Sequence, residues 1–563
     1  MKRSAGILMP IFSLPSPYGI GTMGQAARDF IQFLKAGGQS YWQLLPVGPT
    51  SYGDSPYQSF SSFAGNPYFI DLDDLAVDGL LEPPEYRDID WGGPDKVDYG
   101  LLYEKRYPVL KLAVKRLLAD PTEEYAAFLK DNGDCLEDYA LFMALKGENG
   151  GASWRQWPEG ERLRRPAALA AAKKRLADEL DFWRGVQYLF FRQWDNLAAL
   201  CHENGVSIIG DLPIYVAGDS ADVWADPKQF QLDDNLDPVE VAGCPPDAFT
   251  EDGQLWGNPL FDWEGMKKDG YRWWLRRIGF QFRLFDVLRI DHFRGFDEYY
   301  AIPYGDKTAR NGRWRPGPGL AFFKAVEKEF GPREIIAEDL GFLTDSVREM
   351  QRAAGYPGMK ILEFAFDSKG RDSEYLPHRY EHNCVVYVGT HDNETWLGWM
   401  ASAPKGDVGY AKRYLRLTRR EGYAWGVMRG AWSSVADLAV VQMQDLLELG
   451  TEGRINTPST LGCNWQWRLL PGQVDEKLAQ RLLRSTRLYN RAPAKKRGAG
   501  GCEGAWSGAR MKNQDSQSES VFYPSRSESD QASSRLRSVT TQKQTAPKQV
   551  EKVGQTVKPA EKS

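Results

Sequence analysis

Residues 286–295 read DVLRIDHFRG, an apolar run that ends in a turn of charged and aromatic residues. The run, with Phe285 before it, predicts a strand. Side chains alternate along a strand, so Arg289 and Asp291 are expected to face the same way. An arginine in that position keeps the carboxyl of Asp291 ionised, as a nucleophile requires. In isolation the pair is better interpreted as an ordinary surface ion pair, so its meaning depends on the rest of the chain.

Similar runs recur along the chain and alternate with helical patterns, which favours βα units around a parallel sheet. Strands are predicted over 6–9, 41–45, 207–209, 286–290, 334–337, 360–366 and 384–388, with a weaker last strand near 464–468. Nearly every strand runs directly into polar, charged or aromatic residues. Such residues at successive strand ends are typical of a (β/α)8 barrel. A doubly wound sheet would concentrate them at one switch point, usually with a glycine-rich phosphate turn. We therefore predict an α/β fold, a (β/α)8 TIM barrel.

Three segments depart from this βα rhythm. Residues from about 75 to 200 have helical patterns and predict a largely helical insertion. Residues from about 219 to 263 are rich in Asp, Pro, Gly and Trp and predict a long loop over the active-site mouth. After residue 490 the composition turns to Ser, Gln, Lys and Gly, which predicts a disordered tail over 491–563. The catalytic barrel with its insertions is accordingly assigned to 1–490.

Composition narrows the functional class. The formal net charge of −5 argues against nucleic-acid binding, which needs a basic surface. The six cysteines are far apart with no Cys-x-x-Cys pair, which favours a reduced, cytoplasmic setting over a disulfide scaffold or zinc site. Lys2 and Arg3 precede an apolar run, but it is short and contains Pro10, so we interpret it as the first strand rather than a signal peptide. The sequence has no run of 18 consecutive apolar residues, which a membrane-spanning helix would need.

Two further strand ends carry acidic residues: Glu338 in AEDLG and Asp392 in GTHDNE. With Asp291, three carboxyl groups on three strand ends of one barrel are expected to converge on one pocket. Glycoside cleavage needs such a set, because one carboxylate attacks and one acid protonates the leaving oxygen. Glu338 must then be protonated near neutral pH, so its pKa should be raised. The adjacent Asp339 should point the opposite way and be structural.

Histidines accompany two of these acids. The chain has only five histidines, and His292 and His391 each lie beside a proposed catalytic aspartate. We expect both to hydrogen-bond hydroxyl groups of a bound sugar.

Together these motifs resemble those of the amylomaltases, the bacterial 4-α-glucanotransferases that are known from plants as disproportionating enzymes. The motifs are RIDHFRG (289–295), IIAEDLG (335–341), VGTHDNET (388–395), GDSPYQSFSSFAGNPY (53–68), GDLPIYV (210–216) and GQLWGNP (253–259). The resemblance covers about residues 5–490. Relatives in the wider α-amylase group share the acidic triad but lack GDSPYQ and GQLWGNP.

The resemblance implies roles for individual residues. Asp291 is implied as the nucleophile, Glu338 as the general acid/base and Asp392 as the transition-state stabiliser. The residues implied around the sugar at the cleavage point are Tyr57, Asp211, Arg289 and His391. Tyr52 matches a tyrosine of a secondary glucan site, and Trp256 matches a loop that arches over the cleft.

One departure separates the chain from the α-amylases. They often carry Asn-His four and five residues after the aspartate that matches Asp211, and this asparagine helps to bind calcium. Here Tyr215 and Val216 occupy those positions, which argues against calcium dependence and against a plain α-amylase. We expect no metal and no organic cofactor.

The implied reaction is a retaining double displacement on α-1,4-glucans such as maltooligosaccharides, starch or glycogen fragments. A glucan segment passes through a glucosyl-Asp291 intermediate to the 4-hydroxyl of glucose or of another glucan. The two carboxyl groups should lie about 5–5.5 Å apart. Neither nucleic acid nor a membrane is expected as a partner.

Two other functions remain open at this point. A retaining hydrolase on the same barrel would differ only in passing the intermediate to water. A glucan-binding scaffold without catalytic activity is a second alternative, which the intact triad argues against. Maltotriose separates them, because a transferase yields glucose plus longer chains with nearly constant reducing ends.

Overall fold

A computed structural model describes residues 1–51, 53–246, 251–341, 343–370 and 372–494, and its strands define the fold. They are β1 (Ser4–Leu8), β2 (Tyr41–Gln43), β3 (Ser207–Leu212), β4 (Glu240–Cys244), β5 (Gln254–Pro259), β6 (Val287–Ile290), β7 (Glu298–Pro303), β8 (Arg313–Pro316), β9 (Glu334–Ala337), β10 (Gly358–Ile361), β11 (Cys384–Tyr387) and β12 (Leu438–Gln442).

The α-helices of the same residues are α1 (Gln25–Ala36), α2 (Leu72–Val77), α3 (Tyr99–Ala119), α4 (Glu123–Asp131), α5 (Gly133–Glu148), α6 (Glu159–Arg162), α7 (Pro166–Arg175), α8 (Ala177–Glu203), α9 (Ala221–Ala225), α10 (Trp263–Lys268), α11 (Arg272–Leu284), α12 (Leu320–Phe330), α13 (Asp345–Ala354), α14 (Trp396–Ser402), α15 (Lys405–Tyr414), α16 (Tyr423–Ser433), α17 (Met443–Leu446) and α18 (Glu476–Leu488). Within the described ranges, no helix has the length and apolarity needed to cross a bilayer.

Eight parallel strands close into a barrel in the order β1-β12-β11-β10-β9-β6-β3-β2. Their buried, apolar side chains form its core, and helices lie between successive strands. The predicted (β/α)8 barrel is confirmed. The register pairs Asp211 with Arg289 and Ile290 with Ala337, so β3, β6 and β9 end level with one another. Side chains that follow these strands therefore emerge at one rim of the barrel.

The last barrel strand is not where the sequence predicted it. It is β12, which pairs with β11 and β1, whereas the predicted strand over 464–468 is wrong. That stretch contributes only an isolated bridge between Trp467 and Lys96, and Trp465 has a φ of 65°, which no strand accommodates. The true strand, LAVVQ, lies between helices α16 and α17. An apolar run of that length is not distinguishable from a buried helical segment by periodicity alone.

The long loop predicted over 219–263 contains a β-hairpin. Strands β4 and β5 pair antiparallel and join β7 and β8 in a sheet of order β5-β4-β7-β8. A β-carbon on Gly243 would lie 2.1 Å from the carbonyl oxygen of Gln254, so only glycine permits this close approach. The segment predicted as a long structured loop thus contributes the first two strands of this four-stranded sheet.

The C-terminal part of the described chain is anchored by Arg491. This side chain is fully buried, and its guanidinium donates to the carbonyl oxygens of Ser4, Trp432 and Ala436 at 2.8, 2.7 and 2.9 Å. The folded part therefore extends past the boundary predicted at residue 490. The predicted disorder of the tail concerns residues 495–563, which lie outside the described ranges.

We expect a chain that ends at Ala494 to melt at the temperature of the full chain, and one that ends at Asn490 to melt several degrees lower. Removal of Arg491 takes its hydrogen bonds from these carbonyl oxygens, two of which also accept from Arg3, at about 1–3 kcal/mol for each group left unpaired. Differential scanning calorimetry of the two truncations measures the difference. Equal melting temperatures for both would show that Arg491 is not an anchor.

Candidate active site

An arginine links two aspartates at the rim of the barrel. The side chain of Arg289, on β6, is 3 % exposed, and its Nη1 donates to both carboxylate oxygens of Asp211 at 2.6 Å. Its Nη2 lies 3.1 Å from Oδ1 of Asp291. Both aspartates raise the pKa of Arg289 against the effect of burial. A permanently charged guanidinium therefore lies behind Asp291, as the sequence predicts.

Asp291 follows β6 directly, and its side chain remains 27 % exposed to the pocket. Burial raises its pKa to about 6, while Arg289 opposes the rise. The carboxyl group is therefore ionised at neutral pH and open on one side. Those are the properties of a carboxylate that can attack a bound molecule.

Glu338 occupies the corresponding place after β9. Its two carboxyl oxygens accept the backbone N–H groups of His292, at 2.7 Å, and Leu340, at 3.1 Å. Burial and the neighbouring Asp291 raise its pKa to about 8, against Arg289 and these two donors. Asp291 and Glu338 follow adjacent strands, which lie about 4.8 Å apart. At neutral pH the ionised Asp291 therefore lies beside the protonated Glu338.

The turn after β6 makes this arrangement possible. His292 has a φ of 49°, in the left-handed region that few residues other than glycine adopt. This reversal directs its N–H at Glu338, and the fully buried rings of Phe293 and Phe296 anchor the turn beneath it. Backbone strain of this kind is frequent at functional sites.

Asp339 points away from the pocket, as predicted. Its carboxylate accepts the backbone N–H of Met359 at 2.7 Å and the side-chain amide of Gln351 at 3.2 Å. It ties β9 to β10 and leaves Glu338 as the acid of this strand end that faces the pocket.

Asp392 enters from the loop after β11. Its Oδ2 lies 3.2 Å from Nε2 of His391, and its Oδ1 accepts from Nδ2 of Asn456 at 2.6 Å. Burial raises the pKa of Asp392, but His391 and Asn456 prevail and lower it to about 2. The carboxylate is therefore ionised at neutral pH, and 43 % of the side chain is exposed.

Tyr57 connects the two halves of the pocket. Its hydroxyl donates to Oδ2 of Asp211 at 2.7 Å and lies 2.8 Å from Nε2 of His391. The rings of Tyr57 and His391 are stacked, with centroids 5.2 Å apart. Trp465 packs against both rings at 5.8 and 6.0 Å. These contacts join the side chains of Tyr57, Asp211, His391 and Trp465 into one packed group.

Through Trp256, the four-stranded sheet β5-β4-β7-β8 contacts the same pocket. Trp256 lies on β5, and its ring meets that of His292 edge-on at 4.9 Å. Burial lowers the pKa of His292 to about 4, so the imidazole is neutral, and its buried Nε2 has no hydrogen-bond partner among the described residues. The pair therefore places an aromatic ring beside an unpaired polar atom next to Glu338.

The structure thus brings together nine of the ten predicted site residues. They are Asp291, Glu338, Asp392, Tyr57, Asp211, Arg289, His292, His391 and Trp256. The tenth, Tyr52, lies outside the described residues. Among the described residues, no cluster of three or more His, Cys, Asp or Glu side chains is arranged to hold a metal ion.

Three residues of the site were not predicted: Asn456, Arg454 and Trp465. Asn456 binds Asp392, and Arg454 donates to the backbone oxygen of Asp392 at 3.0 Å. All three follow the last barrel strand. Because that strand was placed at 464–468, the polar segment INTPST after Arg454 was not recognised as a strand-end loop. The signal was present, but it depended on the correct last strand.

Comparison with known proteins adds an independent finding. A family model described as 4-alpha-glucanotransferase matches residues 9–473. A 4-alpha-glucanotransferase of Clostridium butyricum is 48% identical over 488 residues, covering 86% of this chain and 100% of the relative. One of Thermus thermophilus is 47% identical, covering 86% and 98%. A solved amylomaltase of Streptococcus agalactiae in complex with acarbose aligns with a TM-score of 0.86 and 40% identity, over 87% of this chain and 100% of that chain.

Proposed function

This chain belongs to the 4-alpha-glucanotransferase family, the amylomaltases, and from that premise we propose that it transfers α-1,4-glucan segments through a covalent glucosyl-Asp291 intermediate. The observation that supports this chemistry is the pair of carboxyl groups at adjacent strand ends, with Arg289 3.1 Å from Asp291 and with Glu338 held by the N–H groups of His292 and Leu340. Asp291, with a pKa of about 6, is ionised at neutral pH, and Glu338, with a pKa of about 8, keeps its proton. A nucleophile and an acid are therefore ready in the same state of the enzyme.

In the first displacement, a carboxylate oxygen of Asp291 attacks the anomeric carbon of the donor glucan. The bond to the leaving 4-oxygen breaks, and Glu338 gives that oxygen its proton. The shortened glucan departs with a new 4-hydroxyl group. The retained segment is then held by a β-linked ester to Asp291, and Glu338 is a carboxylate.

In the second displacement, the 4-hydroxyl of glucose or of another glucan attacks the same carbon. Glu338 removes its proton, and the bond to Asp291 breaks. Two inversions restore an α-1,4 bond and return both carboxyl groups to their starting protonation. Microscopic reversibility requires this exchange of acid and base roles in one residue.

The remaining residues stabilise the sugar between these steps. Positive charge develops on the sugar ring in each transition state, and the ionised Asp392 lies where it can stabilise that charge. Arg289 limits the basicity of Asp291 so that it can also leave. We expect Tyr57, His292 and His391 to hydrogen-bond the sugar hydroxyls, and Asp211, whose side chain is fully buried, to hold Arg289 and Tyr57 in place.

The fate of the intermediate depends on the acceptor rather than on the carboxyl groups, because transfer and hydrolysis share the same intermediate. Sugar prevails over water where acceptor binding is favourable and water is excluded. The aromatic pair of Trp256 and His292 at the mouth is suited to both tasks. We assign the enzyme to the cytoplasm, because the six cysteines are far apart in the sequence and include no Cys-x-x-Cys pair.

Incubation with maltotriose tests the transfer reaction. A transferase produces glucose together with a ladder of longer maltooligosaccharides, while the total number of reducing ends stays nearly constant. A retaining hydrolase would raise the number of reducing ends in step with the glucose that it releases. A scaffold without activity would leave maltotriose unchanged.

The pH profile of kcat/KM on maltotriose is expected to be bell-shaped. Activity requires Asp291 without a proton and Glu338 with one. It should therefore rise as the pH passes about 6 and fall as the pH passes about 8, the pKa values of the coupled pair. A profile that remains flat to well above pH 8 would contradict the role of Glu338.

Trp256→Ala is expected to lower transfer several-fold and to raise the fraction of donor that is hydrolysed. An aromatic contact with the acceptor contributes about 1 kcal/mol, and its loss also opens the mouth to water. The measured ratio is new reducing ends per glucose released. Leu255→Ala, at the adjacent position of β5, is the matched control, since Leu255 points the other way and is 40% exposed. An unchanged ratio in Trp256→Ala would mean that this side chain does not exclude water.

A further inference from the structure

The carboxylate of Asp392 is fixed by two donors, one on each oxygen. His391 approaches Oδ2 from the same loop, at 3.2 Å, and Asn456 approaches Oδ1 from a different segment of the chain, at 2.6 Å. The side chain of Asp392 is 43 % exposed. A half-exposed carboxylate held at one oxygen is free to rotate about its side-chain bonds, whereas one held at both is not. Asn456 therefore decides whether Asp392 has one orientation.

Asn456 is itself held in place by a clamp between the two loops. The guanidinium of Arg454 donates to the backbone oxygens of Asp392 and Asn456 at 3.0 and 2.8 Å and to Oε1 of Glu394 at 2.7 Å. The backbone N–H of Asn456 donates to the oxygen of His391 at 3.2 Å. The segment after β12 and the loop after β11 are thus joined at four points around Asp392.

The chemistry of Asn456 suits this task. Its amide donates a hydrogen bond without bringing a positive charge, so the charge of Asp392 is not neutralised where the sugar cation develops. The side chain is 9% exposed, which keeps the bond out of competition with water. A lysine or arginine at the same place would hold the carboxylate equally well but would also neutralise it.

We propose that Asn456 is a positioning residue that fixes the carboxylate of Asp392 toward the reacting sugar, and that Arg454 holds Asn456 in place. This inference rests on the proposed function of Asp392 as the stabiliser of the transition state. It predicts that Asn456 affects the chemical step through Asp392 and has little effect on ground-state binding.

The first experiment compares Asn456→Ala with Gln466→Ala, a control on the same segment whose side chain donates to the backbone oxygen of Gly462. We expect kcat on maltotriose to fall about 10- to 100-fold in Asn456→Ala, the factor that corresponds to one hydrogen bond to a charged group. KM should change little, and Gln466→Ala should resemble the unmodified enzyme. An unchanged kcat in Asn456→Ala overturns the proposal.

Asn456→Asp separates a loss of kcat caused by the missing hydrogen bond from one caused by misfolding. Aspartate keeps the shape of asparagine but replaces the donor by an oxygen that repels Asp392. The proposal predicts that kcat falls at least as far as in Asn456→Ala, because shape alone does not position the carboxylate. Activity restored to normal in Asn456→Asp would overturn it.

The second experiment is a double-mutant cycle with Asp392→Asn. If Asn456 acts through Asp392, Asn456→Ala has almost no further effect on kcat once the carboxylate is gone. An equal fold-loss in both backgrounds overturns the proposal, because Asn456 would then act independently. Failure of the proposed function is distinguishable, since in that case Asp392→Asn alone would retain near-normal kcat.

Discussion

Asp291→Asn should reduce kcat on maltotriose by a factor on the order of 10⁴ to 10⁶, the range for removal of a catalytic nucleophile. Asparagine has the size of aspartate, but its neutral amide does not attack the anomeric carbon. Arg289 stays paired with Asp211 at 2.6 Å, so the barrel rim should keep its shape. The expected result is a folded protein that binds glucan and does not cleave it.

Two measurements separate this result from general damage. Asp297→Asn changes an aspartate on the same turn, one that accepts from Ser346 rather than facing the pocket, and should leave kcat near normal. In the unmodified enzyme, a glucosyl fluoride slowed by ring fluorination should leave a sugar mass on the peptide that contains Asp291. Label on another carboxyl group, or near-normal transfer by Asp291→Asn, would refute the nucleophile assignment.

Glu338→Gln should lower kcat by about 10² to 10⁴, the contribution of a general acid and base. Glutamine can accept only one of the N–H groups of His292 and Leu340, because its other terminal atom is a donor, and it has no acidic proton to give the leaving oxygen. The loss should depend on the leaving group. A maltosyl fluoride, whose fluoride departs without protonation, should form the glucosyl-enzyme at nearly the normal rate.

The second displacement in Glu338→Gln lacks its base, so the intermediate should accumulate. Azide needs no deprotonation and should release the intermediate as an α-glycosyl azide, because it replaces Asp291 from the α face. Glu334→Gln, at the opposite end of β9, is the control and should behave as the unmodified enzyme. A β-azide, or equal losses with fluoride and glucan donors, would show that Glu338 is not the acid/base.

Much of the barrel was predictable because its strands are short apolar runs that stop at charged turns. Seven of the eight predicted strands overlap barrel strands within a few residues. The placement of Asp291, Glu338 and Asp392 in one pocket was predictable for the same reason, since DHF, EDL and HDN each follow such a run. The local sequence pattern was sufficient to predict a pocket residue wherever that residue directly follows a strand.

What was missed depends on contacts between distant segments. Asn456 and Trp465 act on Asp392 and Tyr57, which lie far away in the sequence, and neither belongs to an apolar run with a charged end. Strand β12 lies between two helices and has no turn residues to separate it from them. The hairpin of β4 and β5 gains its order from pairing with β7, which the residues of 219–263 do not reveal.

The barrel closes between its first strand and its last, since β1 pairs with β12 from Ser4 with Leu438 onward. On the ribosome, the N-terminal strand therefore waits for its partner until more than four hundred residues have been added. At about 5–20 residues per second, this delay lasts on the order of half a minute to a minute and a half. During that time β1 presents an apolar, unpaired edge of the kind that other nascent chains recognise. Synthesis of this fold therefore requires chaperones that keep the unpaired edge of the first strand away from other chains.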